Sequence, residues 1–335
     1  MDTRRLHSFV KIVDIGSLTR AAAILHIAQP ALSQQVAALE SHFGKQLLIR
    51  SKRGVVPTEA GRALYRHAQL MLRQLEQARI DIETNGTVVA GHVSVGLAPL
   101  STAAVLALPL LATVRQRYPG IILQINENIG GVISEMIMTG KMDVAFIYDA
   151  GSIRGVDFAP VLNEDLFLVG PITLLPPGEE NEDISVETVS ELDLILPTRI
   201  HTVRQLVDTT FRRVGVTPKV IAEIESVPTI ARAVWAKLGS TILPWSSAQA
   251  ILLEHDDVAA RHISKPAIQV KISICTSDQL PLSEPAKVVK DILTDLAHTF
   301  ADDHGARGIR VVGRRPKRNR RPPPAGMPMA GPGAE

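Results

Sequence analysis

The sequence of 335 residues lacks most features of a secreted or membrane-bound protein. Its single cysteine, Cys275, excludes an intramolecular disulfide and any cysteine-based zinc site. The N-terminus has no apolar run of roughly 7–15 residues and no small-residue cleavage site, which argues against a signal peptide. No apolar run reaches the roughly 18 residues of a membrane helix, and the longest candidate, Ala103–Val114, contains Pro109. We therefore expect a cytoplasmic protein with no membrane partner.

Catalytic and cofactor motifs are also missing. The chain has no GxGxxG or P-loop, no HExxH or CxxC, and no GxSxG elbow. The run Glu254, His255, Asp256 and Asp257 contains metal-ligating residue types, but a charged loop is the commoner origin of such a run. Cys275 lies in an apolar strand pattern, which is typical of a small core residue. The sequence thus predicts no catalytic residue, no metal and no cofactor.

Charge is unevenly distributed along the chain. Residues 1–90 hold 12 Lys/Arg and 7 Asp/Glu, residues 91–302 hold 16 and 25, and residues 303–335 hold 8 and 2. The net charges of the three parts are +5, −9 and +6. A basic front part on an acidic body indicates that the front part meets a polyanion. Ordinary scatter in surface charge is the alternative explanation.

The first 57 residues have the periodicity of three short helices and a hairpin. In the third helix, Leu32, Val36 and Leu39 form a narrow apolar stripe. Pro30 suits the first turn of this helix, where its missing N–H costs nothing. The segment 47–56 is predicted to be a hairpin with a basic tip.

The other face of the third helix carries no charge near its N-terminus. Its residues there are Gln29, Pro30, Ala31, Ser33 and Gln34. A helix-turn-helix places this end of its third helix in the major groove, where Gln pairs with adenine and Ser serves several bases. Lys52 and Arg53 at the hairpin tip suit backbone or minor-groove contacts. A three-helix module that binds another protein is the alternative.

Residues 58–84 are predicted to form one long helix with a coiled-coil seam. Its apolar residues alternate in spacing between four and three, which is a 3.5-residue repeat. The seam residues are Leu64, Ala68, Met71, Leu75, Ala78 and Ile82. This repeat favours dimerisation with a second copy of the chain, and a helix lying on its own domain is the alternative.

From residue 91 the pattern changes to alternating strands and helices. The predicted strands include 121–127, 158–162, 166–169 and 194–196. Repeated β–α–β units imply parallel sheets with helices on both faces. A late strand at 270–275 and a helix at 285–300 fit a chain that returns to its first lobe. Residues 303–335 are rich in Pro, Gly and Arg, so we expect them to be disordered. Loose attraction to nucleic acid and an extension without a defined role are both open for this tail.

Several motifs together resemble the LysR-type transcriptional regulators. GSLTRAA, QPALSQQVAALE, QLLIR and PTEAG occur in the order and spacing of that family's winged helix-turn-helix. Downstream, YPGI, TGKMDVAF, EDLFLVG and LGSTILP are similar to its effector domain. Within the family, KIVDIGSLT, LIRSKRGVVPTEAG and VSVGLAP resemble the regulators of nitrogen assimilation.

The resemblance implies a multidomain fold of the α+β and α/β classes. A winged helix-turn-helix is expected at 1–57, a linker helix and hinge at 58–90, and a disordered basic tail at 303–335. A two-lobed effector domain like the type 2 periplasmic binding proteins is expected at 91–302. Within it, lobe I spans about 91–162 plus 268–302, and lobe II spans about 163–267.

The resemblance also implies a DNA-binding transcriptional regulator, active in nitrogen metabolism. It would read an interrupted inverted repeat near a promoter as a homodimer or homotetramer, contact RNA polymerase, and associate with the nucleoid when bound. The family's base-reading positions correspond to Gln29, Pro30, Ser33 and Gln34, with Arg53 from the wing. Many members carry a basic residue in place of Gln34, so we expect adenine or a weak preference, rather than guanine, at the base pair that it contacts.

An effector cleft is expected between the two lobes, where strands end and helices begin. The candidate effector-binding residues are Ser101, Thr102, Asn128, Gly130, Thr198 and Thr202. Helix N-termini in a cleft suit a small anionic ligand, although each residue would serve equally well as a helix cap. The competing function is a solute-binding or enzymatic α/β protein with an accessory helical module. The missing signal peptide and catalytic motifs argue against it.

Overall fold

A computed structural model describes residues 2–52, 54–83, 88–149, 151–178 and 182–312. The N-terminal unit contains three helices and one hairpin, as the sequence predicts. Its elements are α1 (Thr3–Ile15), α2 (Leu18–Ile24), α3 (Gln29–Phe43), β1 (Leu48–Ser51) and β2 (Gly54–Pro57). The long helix α4 (Glu59–Glu83) follows directly.

Local signals in the sequence explain where these helices begin and end. The Asp2 side chain accepts the Arg4 N–H at the start of α1, and Ser17 caps α2 in the same way. Helix α1 ends at Gly16, whose left-handed backbone suits a residue without a side chain. The hairpin packs against this turn, since the Val55 N–H donates to the Gly16 carbonyl at 2.9 Å.

The rest of the chain forms a two-lobed α/β domain. The first part of it contains β3 (Gly91–Leu97), α5 (Thr102–Val105), α6 (Ala107–Arg117), β4 (Ile121–Glu127), α7 (Gly130–Met138) and β5 (Val144–Tyr148). The second part contains β6 (Val156–Pro171), β7 (Ile184–Ser185), α8 (Val186–Ser190), β8 (Leu194–Leu196), α9 (Thr202–Arg213), β9 (Val220–Glu223), α10 (Val227–Trp235), β10 (Thr241–Pro244), α11 (Trp245–Leu252) and β11 (Val258–Lys265). The last part contains β12 (Gln269–Ser277), α12 (Glu284–His304) and β13 (Ile309–Val311).

The sheets are mixed rather than wholly parallel. Strand β3 pairs in parallel with β4 and β5, and β8 pairs in parallel with β9, as β–α–β units require. Strand β12 pairs antiparallel with β5, which confirms that the chain returns to its first lobe. Strand β6 pairs antiparallel with β12 over one half and with β10 and β11 over the other, so it crosses from lobe I to lobe II.

The crossing strand β6 is one continuous strand, whereas the sequence predicts two strands at 158–162 and 166–169. The polar pair Glu164 and Asp165 interrupts the apolar pattern and imitates a break. The backbone nevertheless continues through it because β12 pairs along one edge of β6 at these residues and β13 pairs along the other. Ile309 pairs with Glu164 in register, and the Asp165 N–H donates to the Gly308 carbonyl at 2.9 Å.

The C-terminal segment corrects the predicted start of the disordered tail at residue 303. Helix α12 continues to His304, and β13 then joins the sheet with Ile309 buried. Arg310 makes a two-point ion pair with Asp165, at 2.8 and 2.6 Å. No pattern in the sequence predicts this strand, because β13 has only three residues and follows two glycines. Residues 313–335 of the predicted tail, like residues 84–87 of the predicted hinge, lie outside the described part.

Within the described ranges, none of the helices combines the length and the apolar character that crossing a bilayer requires.

Replacing Gly308 by alanine tests the close contact between the start of β13 and Asp165 of β6. Gly308 has a left-handed φ of 76°, and a Cβ there would lie 2.7 Å from an Asp165 carboxylate oxygen. Gly215 is a matched control, with a φ of 81° and nothing within 4 Å of its Cβ position. Both substitutions should cost ~1–2 kcal/mol for the left-handed backbone, and Gly308→Ala about 1–3 kcal/mol more for overpacking. Thermal unfolding midpoints measure the difference, and equal midpoints would contradict the described contact.

Candidate nucleic-acid interface and interlobe cleft

Helix α3 presents an uncharged, exposed N-terminal end. Leu32, Val36 and Leu39 bury the opposite stripe in the core of the N-terminal unit, as predicted. The exposed residues at this end are Gln29, Pro30, Ala31 and Gln34, and Ser33 is partly buried beside them. No side chain caps the helix at Ala28, which leaves the N–H groups of the first turn for an external acceptor such as a phosphate.

The hairpin is fixed against α3 by two polar side chains that the sequence analysis missed. Glu40 accepts the N–H groups of Leu47 and Leu48 at 2.8 and 3.2 Å, which ties the base of the hairpin to the helix. Arg50 donates to the Ser33 hydroxyl at 2.8 Å. The alternation of a strand contained the signal, because Arg50 lies two residues from buried Leu48 and so shares its face.

Of the two predicted phosphate-contacting residues, Lys52 is exposed at the hairpin tip, between β1 and β2. Arg53 lies outside the described residues. The base-reading assignment of the α3 residues and the assignments of Lys52 and Arg53 are predictions that the structure leaves open to experiment.

The predicted dimerisation seam of α4 divides into a buried part and an exposed part. Leu64 and Ala68 are buried in the core of the N-terminal unit, so the chain covers them itself. This corrects their assignment, and the physical reason is that the first turns of α4 pack on α1. The other four seam residues, Met71, Leu75, Ala78 and Ile82, are exposed.

Polar contacts join α1, α4 and lobe I within one chain. Asp14 of α1 accepts the Tyr65 hydroxyl at 2.5 Å and pairs with Lys141 at 2.9 Å. Burial and the Asp14 hydrogen bond raise the pKa of Tyr65. Further along α4, Arg73 pairs with Asp143 at 2.6 Å. Both lobe I partners belong to the TGKMD stretch of the sequence.

A cavity of about 400 Å³ lies between the two lobes. Of the six predicted effector residues, Ser101 lines it. The Ser101 hydroxyl is already engaged, since it donates to the Ala98 carbonyl at 2.7 Å and accepts the Ala103 N–H at 3.0 Å. Glu127 and Glu225 are the charged side chains that line the cavity among the described residues. Its electrostatic character therefore opposes the anionic effector that the sequence suggested.

The chain's own acceptors satisfy the donors that were expected to bind an effector. The N–H and hydroxyl of Thr102 both donate to Glu164, the N–H at 3.2 Å. The N–H and hydroxyl of Thr198 both donate to Glu225, the N–H at 3.1 Å. The Asn128 side chain accepts the Ile129 N–H at 2.9 Å.

The last two predicted effector residues begin helices. Gly130 is the first residue of α7, and Thr202 is the first residue of α9, which His201 caps. A larger groove of about 710 Å³ lies on lobe II beside Trp245, and none of the six predicted residues lines it.

Two family models match the chain, and together they cover most of it. One is described as the LysR substrate binding domain and matches residues 86–297. The other is described as a bacterial regulatory helix-turn-helix protein of the lysR family and matches residues 3–62. The chain belongs to the LysR family of transcriptional regulators.

Individual relatives agree with this membership, and a solved structure agrees with the fold. The nitrogen assimilation regulatory protein nac of Klebsiella aerogenes is 43% identical over 296 residues, which cover 88% of this chain and 95% of that protein. The protein of the same description from Escherichia coli strain K12 is 43% identical over 293 residues, covering 88% and 94%. A full-length OxyR variant from Pseudomonas aeruginosa is 24% identical, covers 88% and 94%, and superposes with a TM-score of 0.66.

These findings confirm the predicted family, fold and general function. The LysR-type chain is a DNA-binding transcriptional regulator rather than an enzyme, and the alternative of an enzymatic α/β protein is set aside. The LysR models end at residue 297, so the strand β13 extends beyond the family match.

The side chains considered for catalysis or metal binding are buried in the core or contact other side chains of the chain. Cys275 is buried, and burial raises the pKa of its thiol, as expected for a core residue. His255 contacts the Trp235 ring with 4.5 Å between ring centroids, and Asp257 pairs with Lys237 at 3.2 Å. Over the described ranges, no group of three or more side chains is arranged to hold a metal ion.

The buried carboxyl group of Glu164 predicts a pH dependence of stability. Burial raises its pKa from 4.5 to about 7, against the opposing effect of hydrogen bonds from Thr102 and Ser246. Because folding raises this pKa, the protonated carboxyl group stabilises the native state fully below pH 4.5. This contribution is lost as the pH rises through 7.

Relative to Glu164→Gln, the wild-type protein should therefore lose on the order of 3 kcal/mol of unfolding free energy between pH 5 and pH 8. Gln keeps the size of the side chain but does not titrate. Urea unfolding of both proteins across this range measures the effect, and parallel pH profiles would refute it.

Proposed function

We propose that this LysR-type regulator reads its operator with the N-terminal end of α3 and holds the flanking phosphates with the hairpin wing. The observation that supports the proposal is the uncharged, exposed group of Gln29, Pro30 and Gln34 on a helix without a side-chain cap. Glutamine offers a donor and an acceptor to adenine in the major groove. The net charge of +5 over residues 1–90 supplies attraction to the DNA backbone.

The working form in this proposal is a homodimer or homotetramer on an interrupted inverted repeat near a promoter. The exposed half of α4, from Met71 to Ile82, supplies the apolar surface for pairing. A two-fold dimer places two α3 helices on two half-sites, which a palindromic operator matches. The regulator would act in the cytoplasm, associated with the nucleoid, and would contact RNA polymerase.

The proposed target genes are those of nitrogen assimilation. The support is the 43% identity over 88% of the chain to proteins described as nitrogen assimilation regulatory proteins. The proposed domain organisation has DNA binding at 1–57, pairing and hinge at 58–90, and regulation from residue 91 onwards. A small effector would act at the interlobe cavity of about 400 Å³.

A gel-shift titration on the region upstream of the chain's own gene tests the proposal. Specific retardation that survives competitor DNA and weakens steeply with salt supports a sequence-specific regulator. Retardation that competitor DNA removes equally well from every fragment contradicts it. A scan of upstream regions of nitrogen assimilation genes then tests the proposed targets.

Gln29→Ala should relax sequence preference at one base pair of each half-site. Loss of a bidentate contact to adenine should cost ~1–3 kcal/mol against the preferred base and much less against the other bases. Ser41→Ala is the control, because Ser41 is exposed on the same helix but lies about 18 Å further along it. Binding to operators substituted at each position measures the effect. An unchanged base preference would remove Gln29 from the reading surface.

The double substitution Lys52→Ala and Arg53→Ala should weaken binding to all sequences alike. Phosphate contacts carry no base information, so the ranking of operator variants should stay the same. The slope of log affinity against log salt should fall by about 1 for each lost contact. Lys287→Ala, on the far domain, is the control for a change of charge alone. A change of base ranking with an unaltered salt slope would overturn the phosphate assignment.

A further inference from the structure

Glu164 is a buried acidic residue at the point where β6 crosses between the lobes. Its carboxyl group is fully buried and makes contacts on both sides of the crossing. On the lobe I side it accepts the N–H and the hydroxyl of Thr102, at the start of α5. On the lobe II side it accepts the Ser246 hydroxyl of α11 at 3.4 Å. One carboxyl oxygen therefore contacts both lobes.

The partners of Glu164 differ from those of the adjacent acidic residue. Asp165 makes a two-point ion pair with Arg310, which is the usual way to compensate a buried charge. The groups that donate to Glu164 are instead two hydroxyls and one backbone amide. Its second carboxyl oxygen is buried and has no hydrogen-bond partner in the structure. The amide and the two hydroxyls form a cradle that donates hydrogen bonds to a carboxyl group without supplying a positive charge.

The cradle lies directly beneath the interlobe cavity. Ser246 and Ser101, the residue before Thr102, both line that cavity, whereas Glu164 and Thr102 are buried below them. A ligand stabilises the closed form of a two-lobed domain by contacting both lobes at once. Glu164 makes this pair of contacts from within the chain.

We propose that Glu164 is a built-in occupant of the interlobe cradle and takes the place that the carboxylate of a small effector would otherwise fill. The proposal rests on the proposed effector-responsive function of the cleft and specifies which ligands it can accept. While Glu164 fills the cradle, the donors of Thr102 and Ser246 are engaged. Anionic effectors therefore cannot bind to these donors. An effector of this regulator must then be neutral or cationic, which agrees with Glu127 and Glu225 at the cavity wall.

Replacing Glu164 by alanine and adding acetate tests the proposal directly. The substitution removes a CH₂–COOH group, and acetate has the same carboxyl group and nearly the same size. Acetate should raise the thermal unfolding midpoint of Glu164→Ala saturably, by about 2–5 °C over sodium chloride at equal ionic strength. Wild type, whose cradle is full, should show no difference between the two salts.

Two further variants separate cradle binding from general salt effects. Glu127→Ala is the matched control, because it removes a glutamate from the same cavity but leaves the Thr102 acceptor in place. It should behave like wild type. Glu164→Ala combined with Thr102→Val removes a cradle donor as well, and it should lose most of the response to acetate. An equal response in all four proteins, or none in Glu164→Ala, would overturn the proposal.

A failure of Glu164→Ala to fold without acetate is also informative. The variant is then purified in acetate and dialysed into chloride. Unfolding in chloride with recovery in acetate supports the cradle, and unfolding in both salts contradicts it. The thermal measurements need no DNA, so a wild-type protein that binds no operator would refute the proposed function and leave the cradle result standing.

Discussion

The arrangement of the two lobes depends on satisfying the polar groups of one strand that both lobes share. Strand β6 runs through the interior from Val156 to Pro171, and a buried carboxyl group on such a strand is costly unless it finds donors. Glu164 finds them in Thr102 and Ser246, and Asp165 finds them in Arg310. These donors come from lobe I, lobe II and the C-terminal strand. The relative positions of all three parts are thus coupled by two adjacent side chains.

The N-terminal unit handles polarity in the opposite way. Its core is apolar, and α3 keeps its exposed N-terminal end free of charge while cations stand at the hairpin. Glu40 and Arg50 serve to hold the hairpin against the helix. This arrangement supports the proposed division of roles, in which uncharged groups of α3 contact bases and cations of the hairpin contact phosphates.

Elements with strong periodicity or clear caps were predictable from the sequence. The N-terminal helices, the hairpin, and strands such as β4 and β8 lie where the pattern places them. Elements defined by distant partners were not. Strand β6 looked interrupted because β13, which pairs beside its acidic residues, lies about 145 residues away in the chain. The early α4 seam looked intermolecular because periodicity shows that a face is apolar but not which surface covers it.

The candidate sites divide along the same line. The α3 residues were predictable because a helix end and its chemistry are local properties, and the strand-to-helix turns of the cleft were predictable for the same reason. Acceptors for those turns were not, since Glu164 and Glu225 reach Thr102 and Thr198 only through the tertiary fold. A cap residue in a sequence indicates donors, and only packing decides whether a ligand or the chain itself engages them.

The contacts among Asp14, Tyr65 and Lys141 have a consequence for operator geometry. They fix the N-terminal unit against lobe I of the same chain. In the proposed dimer, the two α3 helices would then be separated by packed domains and not by a flexible linker. Inserting one base pair between two half-sites turns one of them by about 35° around the duplex axis. Two α3 helices held in this way would have little freedom to follow that turn. The spacing between the half-sites would then contribute to operator recognition.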